Sequence, residues 1–395
     1  MTAIDVWITG CGAVTAAGPT SRELLNAMVA GLSAVGPLPG LGGMPGARVL
    51  SIPDHRIARR LERTGGLFVA AAEEAWRQAG LDGRSLVPER VALVEGSSLG
   101  PMAAVLSACK AELNGLRKAR PSDVTRLMPG ASGTTFAQAH DIRGPVLQIS
   151  AGSVSATYAV GEAFEKIVHG TLDVVVAGGA ECPLEPSIVE RFVSAGVVAP
   201  GAAACRPFDR DRQGTVLGEG AGVLILESRD HAVRRGAVPR AILAGYGTAS
   251  EAHSQTAPDP SGTGVCRAAR QALREGRDPA WIKAHGTGTR SGDLAEYRGL
   301  VAAFGSRLPM MPVTSLKPLI GHCLGASGAV EAVATVLALE RGIIPATLGT
   351  AEVDPDLGLY DVVLETRPGA SASVLLLAES FGGRCAALAV HSASR

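Results

Sequence analysis

The 395-residue chain is predicted to be an α/β protein made of two related halves. Short β-branched apolar runs alternate with helical patterns along its length. Those runs are continuously apolar rather than alternating, as in sheets covered on both faces. In addition, "SAGSVSATYAVGEAFEKIVHG" (150–170) shares its form with "GHCLGASGAVEAVATVLALERG" (321–342): a Gly/Ala/Ser-rich corner and then an apolar helix ending at glycine. The echo predicts one helix at the centre of each half, buried by both sheets. The halves are expected to span 1–238 and 239–395, joining near 236–242.

The predicted strands, in order, are "DVWITG" (5–10), "RVALVEG" (90–96), "VLQIS" (146–150), "DVVVAGG" (173–179), "GVLILES" (222–228), "WIKAHG" (281–286), "MPVTS" (311–315) and "AALAVH" (386–391). Helical patterns fall between them at 56–79, 101–114, 154–169, 188–196, 229–235, 264–275, 293–304 and 327–341. Segments 33–53 and 115–130, rich in Gly, Pro and Arg, read as loops. Glycine makes up 50 of the 395 residues, an excess that marks close backbone approaches and tight turns.

Composition excludes several classes. Hydrophobic residues are 46% and charged residues 19%, the balance of a large core rather than of disorder. Lys+Arg and Asp+Glu number 37 each and aromatics are 4%, so neither a basic stripe nor stacking rings point to nucleic acid. The seven cysteines form no CxxC pair, which predicts reduced thiols in a cytoplasmic protein. Neither a leader at "MTAIDVWITG" nor an apolar run long enough to span a membrane is evident.

Four stretches carry candidate chemistry: Ser153 before the first buried helix, His285 in "AHGTGT" (284–289), Lys317 and His322 in "VTSLKPLIGHCLGASG" (313–328), and the glycine turn of "ESFGGRC" (379–385). Each also has a plain structural reading. Serine commonly serves turns and caps, and histidines and lysines flanked by glycine are often only packed or solvated. A metal centre on His285, His322 and Cys323 is not expected, because the loops lack an HxxxH or CxxC ligand spacing. "TGCGAVTAAG" (9–18) begins as GxG, but Thr15 stands at the third glycine position of a dinucleotide loop, so no such cofactor is expected.

Taken together, these blocks resemble the β-ketoacyl synthases of the thiolase-like superfamily over nearly the whole chain. "VWITGCGAVTAAG", "DVVVAGGAE" (173–181), "RPFDRDRQGTVLGEGAGVLILES" (206–228), "AHGTGTRSGDLAE" (284–296) and "SLKPLIGHCLGASGAVE" (315–331) look like its signature blocks, in order. The resemblance implies a five-layered αβαβα fold with duplicated halves, usually dimeric. It also implies acyl and malonyl substrates carried on the phosphopantetheine of an acyl carrier protein, with no further cofactor. The family's catalytic Cys position falls on Ser153, its two histidines on His285 and His322, and its lysine on Lys317. The family's "GFGGTN" loop aligns with "SFGGRC", which puts its gating Phe at Phe381 and its Thr-Asn at Arg384-Cys385. Thr287, Thr289, Phe381, Gly382 and Arg384 are thereby expected beside the substrate.

Serine departs from that pattern. A thiol at a helix N-terminus ionises readily, but the roughly 0.3–2 kcal/mol of a helix dipole cannot make an alkoxide, so the hydroxyl needs a base. His322 or His285 is the candidate. Four readings stay open: a natural serine acyltransferase that passes its acyl group to carbon, amine or alcohol; a Cys→Ser replacement that traps an acyl or carrier complex; malonyl decarboxylation alone; and a non-catalytic partner subunit resembling a chain-length factor. Arg384 either forks onto a carboxylate or phosphate or faces solvent. An acidic carrier calls for a basic patch, and "HRIARRLER" (55–63) is the candidate.

Overall fold

The computed structural model describes residues 5–81, 86–199, 205–273, 278–358, 360–369 and 372–393. The first four residues and the 274–275 end of one predicted helix lie outside the described residues. The strands in chain order are β1 (Val6–Thr15), β2 (Gly36–Leu38), β3 (Met44–Gly46), β4 (Val91–Gly96), β5 (Val146–Ile149), β6 (Val174–Glu181), β7 (Gly220–Ser228), β8 (Ala241–Ser250), β9 (Trp281–Lys283), β10 (Val313–Thr314), β11 (Ile343–Ile344), β12 (Arg367–Pro368), β13 (Ser373–Ser380) and β14 (Arg384–Ser392).

Ten of these pair edge to edge in the order β10-β9-β13-β14-β8-β1-β7-β6-β4-β5. Numbered within its own half, each set of five reads third, second, fourth, fifth, first. The directions match too: β4 is parallel to β5 and β6, as β9 is to β10 and β13, while β7 and β14 run antiparallel to their neighbours. The chain therefore contains the same sheet twice. Among the described residues the two sheets pair with each other at Val6–Ile8 and Ala241–Leu243.

Helices complete five layers. Ser155–Val168 and Ser327–Arg341 pack between the two sheets, Arg63–Ala79 covers the outer face of the first sheet, and Thr263–Leu273, backed by Arg290–Phe304, covers the second. The small residues of the sequence echo let the two central helices cross closely. A Cβ placed on Gly328 would fall 1.9 Å from Thr157 Oγ1 of the other helix. In the Ser327–Arg341 helix every residue through Leu339 is buried, so the apolar all-round pattern is what the middle layer demands.

Some expectations change. The 56–79 helix divides into a 3₁₀ turn at Arg56–Arg60 and the helix from Arg63. The Glu62 carboxylate caps that helix, accepting from the amides of Thr64 at 2.7 Å and Gly65 at 2.6 Å. The 33–53 loop holds the β2–β3 hairpin, and 115–130 holds a helix at Pro121–Arg126. Strands β8 and β13 and the Ser21–Ala30 helix were not anticipated. β5 is not covered on both faces: it is an edge with Val146 37% and Leu147 39% exposed. All seven cysteines are free, and all but Cys109 are buried. Among the described residues no helix is long and apolar enough to cross a membrane.

Candidate active site

Ser153 follows β5 and stands two residues before the first central helix, half-buried. The turn is held by Ser155, whose hydroxyl donates to the Gly152 carbonyl at 2.6 Å and accepts from the Ala151 amide at 2.8 Å. Gly152 sits at φ +67°, a left-handed conformation that glycine adopts without strain. The other half comes to meet this corner. His322 is fixed by its backbone, donating from N to the Val216 carbonyl at 2.6 Å and accepting from Gly218 N at 3.0 Å. Its Nε2 lies 3.2 Å from Ser153 Oγ, and its Nδ1 lies 2.8 Å from Ser327 Oγ, the first residue of the second central helix.

His285 follows β9. The amides of His285 and Gly286 donate to the Glu296 carboxylate, the latter at 2.8 Å, which closes the turn. The two imidazoles stand edge to face with ring centres 5.4 Å apart. Lys317 Nζ is 3.3 Å from His285 Nδ1, also donates to the His285 carbonyl, and meets Glu331 Oε1 at 2.9 Å. The other oxygen of Glu331 pairs with Lys283, whose Nζ donates further to the Leu377 carbonyl at 3.0 Å. One buried carboxylate thus pairs with two buried lysines through its two oxygens, and these pairings are what make such burial tolerable.

This pattern assigns protons. A lysine ammonium only donates, so His285 Nδ1 accepts and the ring's proton sits on Nε2. The Ser327 hydroxyl can accept from His322 Nδ1–H, leaving His322 Nε2 open to the Ser153 hydroxyl. Burial holds both imidazoles well below the usual histidine range; Lys317 reinforces the shift at each, and His322 adds to it at His285. Both rings are therefore neutral at pH 7. Burial also brings Lys283 down to about 8. Behind the Gly-Thr-Gly-Thr loop, Asp293 accepts from Phe208 N at 2.7 Å and Gly288 N at 3.0 Å, and burial raises its carboxyl to about 7.

A cavity of about 770 Å³ opens over Ser153, His285 and His322. Thr287, Thr289, Phe381 and Arg384 line it. Thr289 is also the N-cap of the Arg290–Phe304 helix, accepting from Gly292 N at 3.2 Å. One expectation needs correction: Gly382 is not on the wall, its amide being spent on the Gln255 carbonyl at 2.9 Å. Lys317 stands behind His285. Arg384 is exposed and donates from Nη1 to the Phe381 carbonyl at 3.2 Å. Glu251, Glu379 and Cys385 form an acidic wall across the cavity; burial, then Glu296 and Glu251, push the Glu379 carboxyl well above the usual range. No residue of 55–63 lines this cavity, and the Arg59 of that stretch is paired with Asp54 at 2.8 Å.

Sequence reasoning missed Ser327, Glu331, Lys283, Glu296 and Ser380. Two of these had a legible signal: a glutamate inside a wholly apolar buried helix, and a lysine inside the apolar strand "WIKAHG".

A twice-built sheet thus brings one hydroxyl and two neutral imidazoles to a single cavity. The chain belongs to the β-ketoacyl synthase family: its residues 47–232 match the family's N-terminal domain and 240–351 its C-terminal domain. It is 37% identical over 372 residues to Nodulation protein E of Rhizobium sp. (strain N33), covering 90% of each chain. Among solved structures, it superposes with a TM-score of 0.89 and 30% identity on the ishigamide ketosynthase/chain length factor, covering 99% of this chain and 100% of that one. It also superposes, at TM-score 0.89 and 26% identity over 99% of this chain and 100% of the other, on a type II PKS acyl-carrier protein in complex with its ketosynthase.

Proposed function

We propose that the chain is an active acyltransferase of fatty-acid or polyketide type, acting in the cytoplasm, and that it carries its acyl group on Ser153. The observation that supports this most directly is the 3.2 Å approach of a neutral His322 Nε2 to Ser153 Oγ. The hydroxyl attacks the thioester carbonyl while its proton passes to Nε2. The C–S bond then breaks, and Nε2 returns the proton to the leaving thiolate of the carrier's phosphopantetheine. His285 Nε2–H donates to the carbonyl oxygen of the malonyl thioester and stabilises the enolate left when carbon dioxide departs. Lys317 acts through His285, fixing its tautomer. The acyl donor is an acyl carrier protein, and the exposed β5 edge pairs with a second copy or with an unlike ketosynthase-type chain.

Incubation with a hexanoyl carrier thioester followed by intact-mass analysis tests the reading. One hexanoyl addition on the peptide containing Ser153, lost in Ser153→Ala, is expected. Absence of any adduct, with co-purification of an active synthase, would instead mark the chain as a partner subunit. A second reading, malonyl decarboxylation alone, is favoured by the fact that His285, His322, Lys317 and Glu331 are held together without help from Ser153. It predicts that Ser153→Ala releases carbon dioxide from malonyl carrier at the wild-type rate.

A further inference from the structure

The backbone amide of Ser153 is already occupied. It donates to the hydroxyl of Ser380 at 2.9 Å, although the two residues are 227 positions apart. In acyl transfer to a serine, the nucleophile's own amide is a natural donor for the oxygen that becomes negative in the tetrahedral intermediate. Such an oxygen needs to lie about 2.7–3.1 Å from the donor. The Ser380 oxygen stands at that distance, and two oxygens cannot share one place.

The surroundings hold Ser380 there. It is the last residue of β13, ahead of a turn with two consecutive left-handed glycines, Gly382 at φ +81° and Gly383 at φ +69°. Gly383 N bonds back to the Ser380 carbonyl at 3.1 Å, and the Glu251 amide donates to the Gly383 carbonyl at 2.8 Å. On the other side, Gly152 leaves the space the hydroxyl needs: a Cβ there would lie 2.1 Å from Ser380 Oγ. The backbone is pinned, so the side chain can leave only by rotating about its own χ1, between staggered wells.

We propose that Ser380 is a stopper in the oxyanion position: its hydroxyl mimics the substrate's carbonyl oxygen on the Ser153 amide, and acylation requires that it swing away. This rests on the assignment of Ser153 as acyl acceptor. The step it gates is the one already given, with Ser153 O–H and thioester becoming ester and free thiol. Ser380 gains and loses no atoms; it exchanges one hydrogen-bond partner for another.

The test is the sign of an effect. Single-turnover acylation by hexanoyl-N-acetylcysteamine, which needs no carrier docking, is followed by intact mass in the wild type, Ser380→Gly, Ser380→Ala and Ser380→Thr. Freeing the amide should accelerate acylation about fivefold in Ser380→Gly and Ser380→Ala, the worth of one ordinary hydrogen bond. Ser380→Thr, which keeps the hydroxyl, should return to the wild-type rate. A merely structural residue would slow the reaction when altered. Equal or slower rates in both Ser380→Gly and Ser380→Ala overturn the stopper, and a marked slowing would make the hydroxyl a donor to the substrate instead. If the native hydroxyl takes no acyl group, the assignment of Ser153 fails separately. The same comparison is then made between Ser153→Cys and Ser153→Cys/Ser380→Gly, where a faster double variant sustains the stopper and equal rates end it.

Discussion

The two central helices descend from one sequence pattern and have been put to different uses. Ser155–Val168 is a platform: its N-terminal corner presents Ser153, and its interior holds no charge pair among the described residues. Ser327–Arg341 is a frame: its first residue meets His322 Nδ1 and its fifth, Glu331, binds Lys317 and Lys283. Both stand in the third crossover of their half, beneath matching sheets. The duplication thus provides a symmetrical scaffold, and the chemistry comes from breaking the symmetry. In the proposed reaction, one half would supply the attacking group, and the other the groups that set protons and charge.

The largest test of this division is to remove one imidazole at a time. His322→Ala should slow acylation of Ser153 by about 10²–10⁴, the range of a lost general base. His285→Ala should leave acylation within about tenfold but abolish carbon dioxide release from malonyl carrier. Equal losses of both activities in the two variants would erase the distinction drawn between the rings.

Next comes the frame itself. Glu331→Gln strands two buried lysines and should cost about 3–5 kcal/mol, read in denaturant unfolding as a lower midpoint with unchanged slope. A loss below about 1 kcal/mol would show that the second helix is no more charge-dependent than the first.

Acidity sharpens the comparison further. His285 and His322 are held neutral in the fold, whereas the unfolded chain protonates them near pH 6.5. As pH falls below 6.5, the unfolded state gains protons that the folded state refuses. Stability therefore falls by up to about 1.4 kcal/mol per pH unit for each ring. The stabilisation is fully present above pH 6.5, and acylation should stay level from pH 8 to below 6.5. A rate that halves near pH 6.5 would mean that Nε2 of His322 titrates normally. The smallest effect belongs to the cavity rim: Arg384→Thr should alter the preference among acyl donors by no more than about threefold, as expected for an exposed group. A larger change would make Arg384 a determinant of specificity.

Much of this was legible from the chain. The echo between 150–170 and 321–342 announced both central helices and their burial, and Ser153, His285 and His322 do converge on one cavity. The missed strands have physical reasons. β8 reads "AILAGYGTAS", and its Gly245 and Gly247 look like turn residues, yet a Cβ on either would strike the backbone of the helix packed above at Ala272 or Ala268. β13 reads "SVLLLAES", whose leucines favour helix over strand when taken alone. Ser380 was invisible for another reason: its partner lies 227 residues away, and no local pattern announces a hydroxyl aimed at a distant amide.

The lysine–glutamate–lysine bridge has one more consequence. Lys283 and Lys317 are each 0% exposed and Glu331 is 2% exposed, so dissolved ions cannot reach between them, whereas surface pairs such as Arg59–Asp54 lie within the screening atmosphere. Ionic strength should therefore act as a dissecting tool. Concentrated salt would strip away whatever long-range attraction guides a carrier to the outside, yet leave the internal charge geometry, and hence turnover of a small uncharged thioester, untouched.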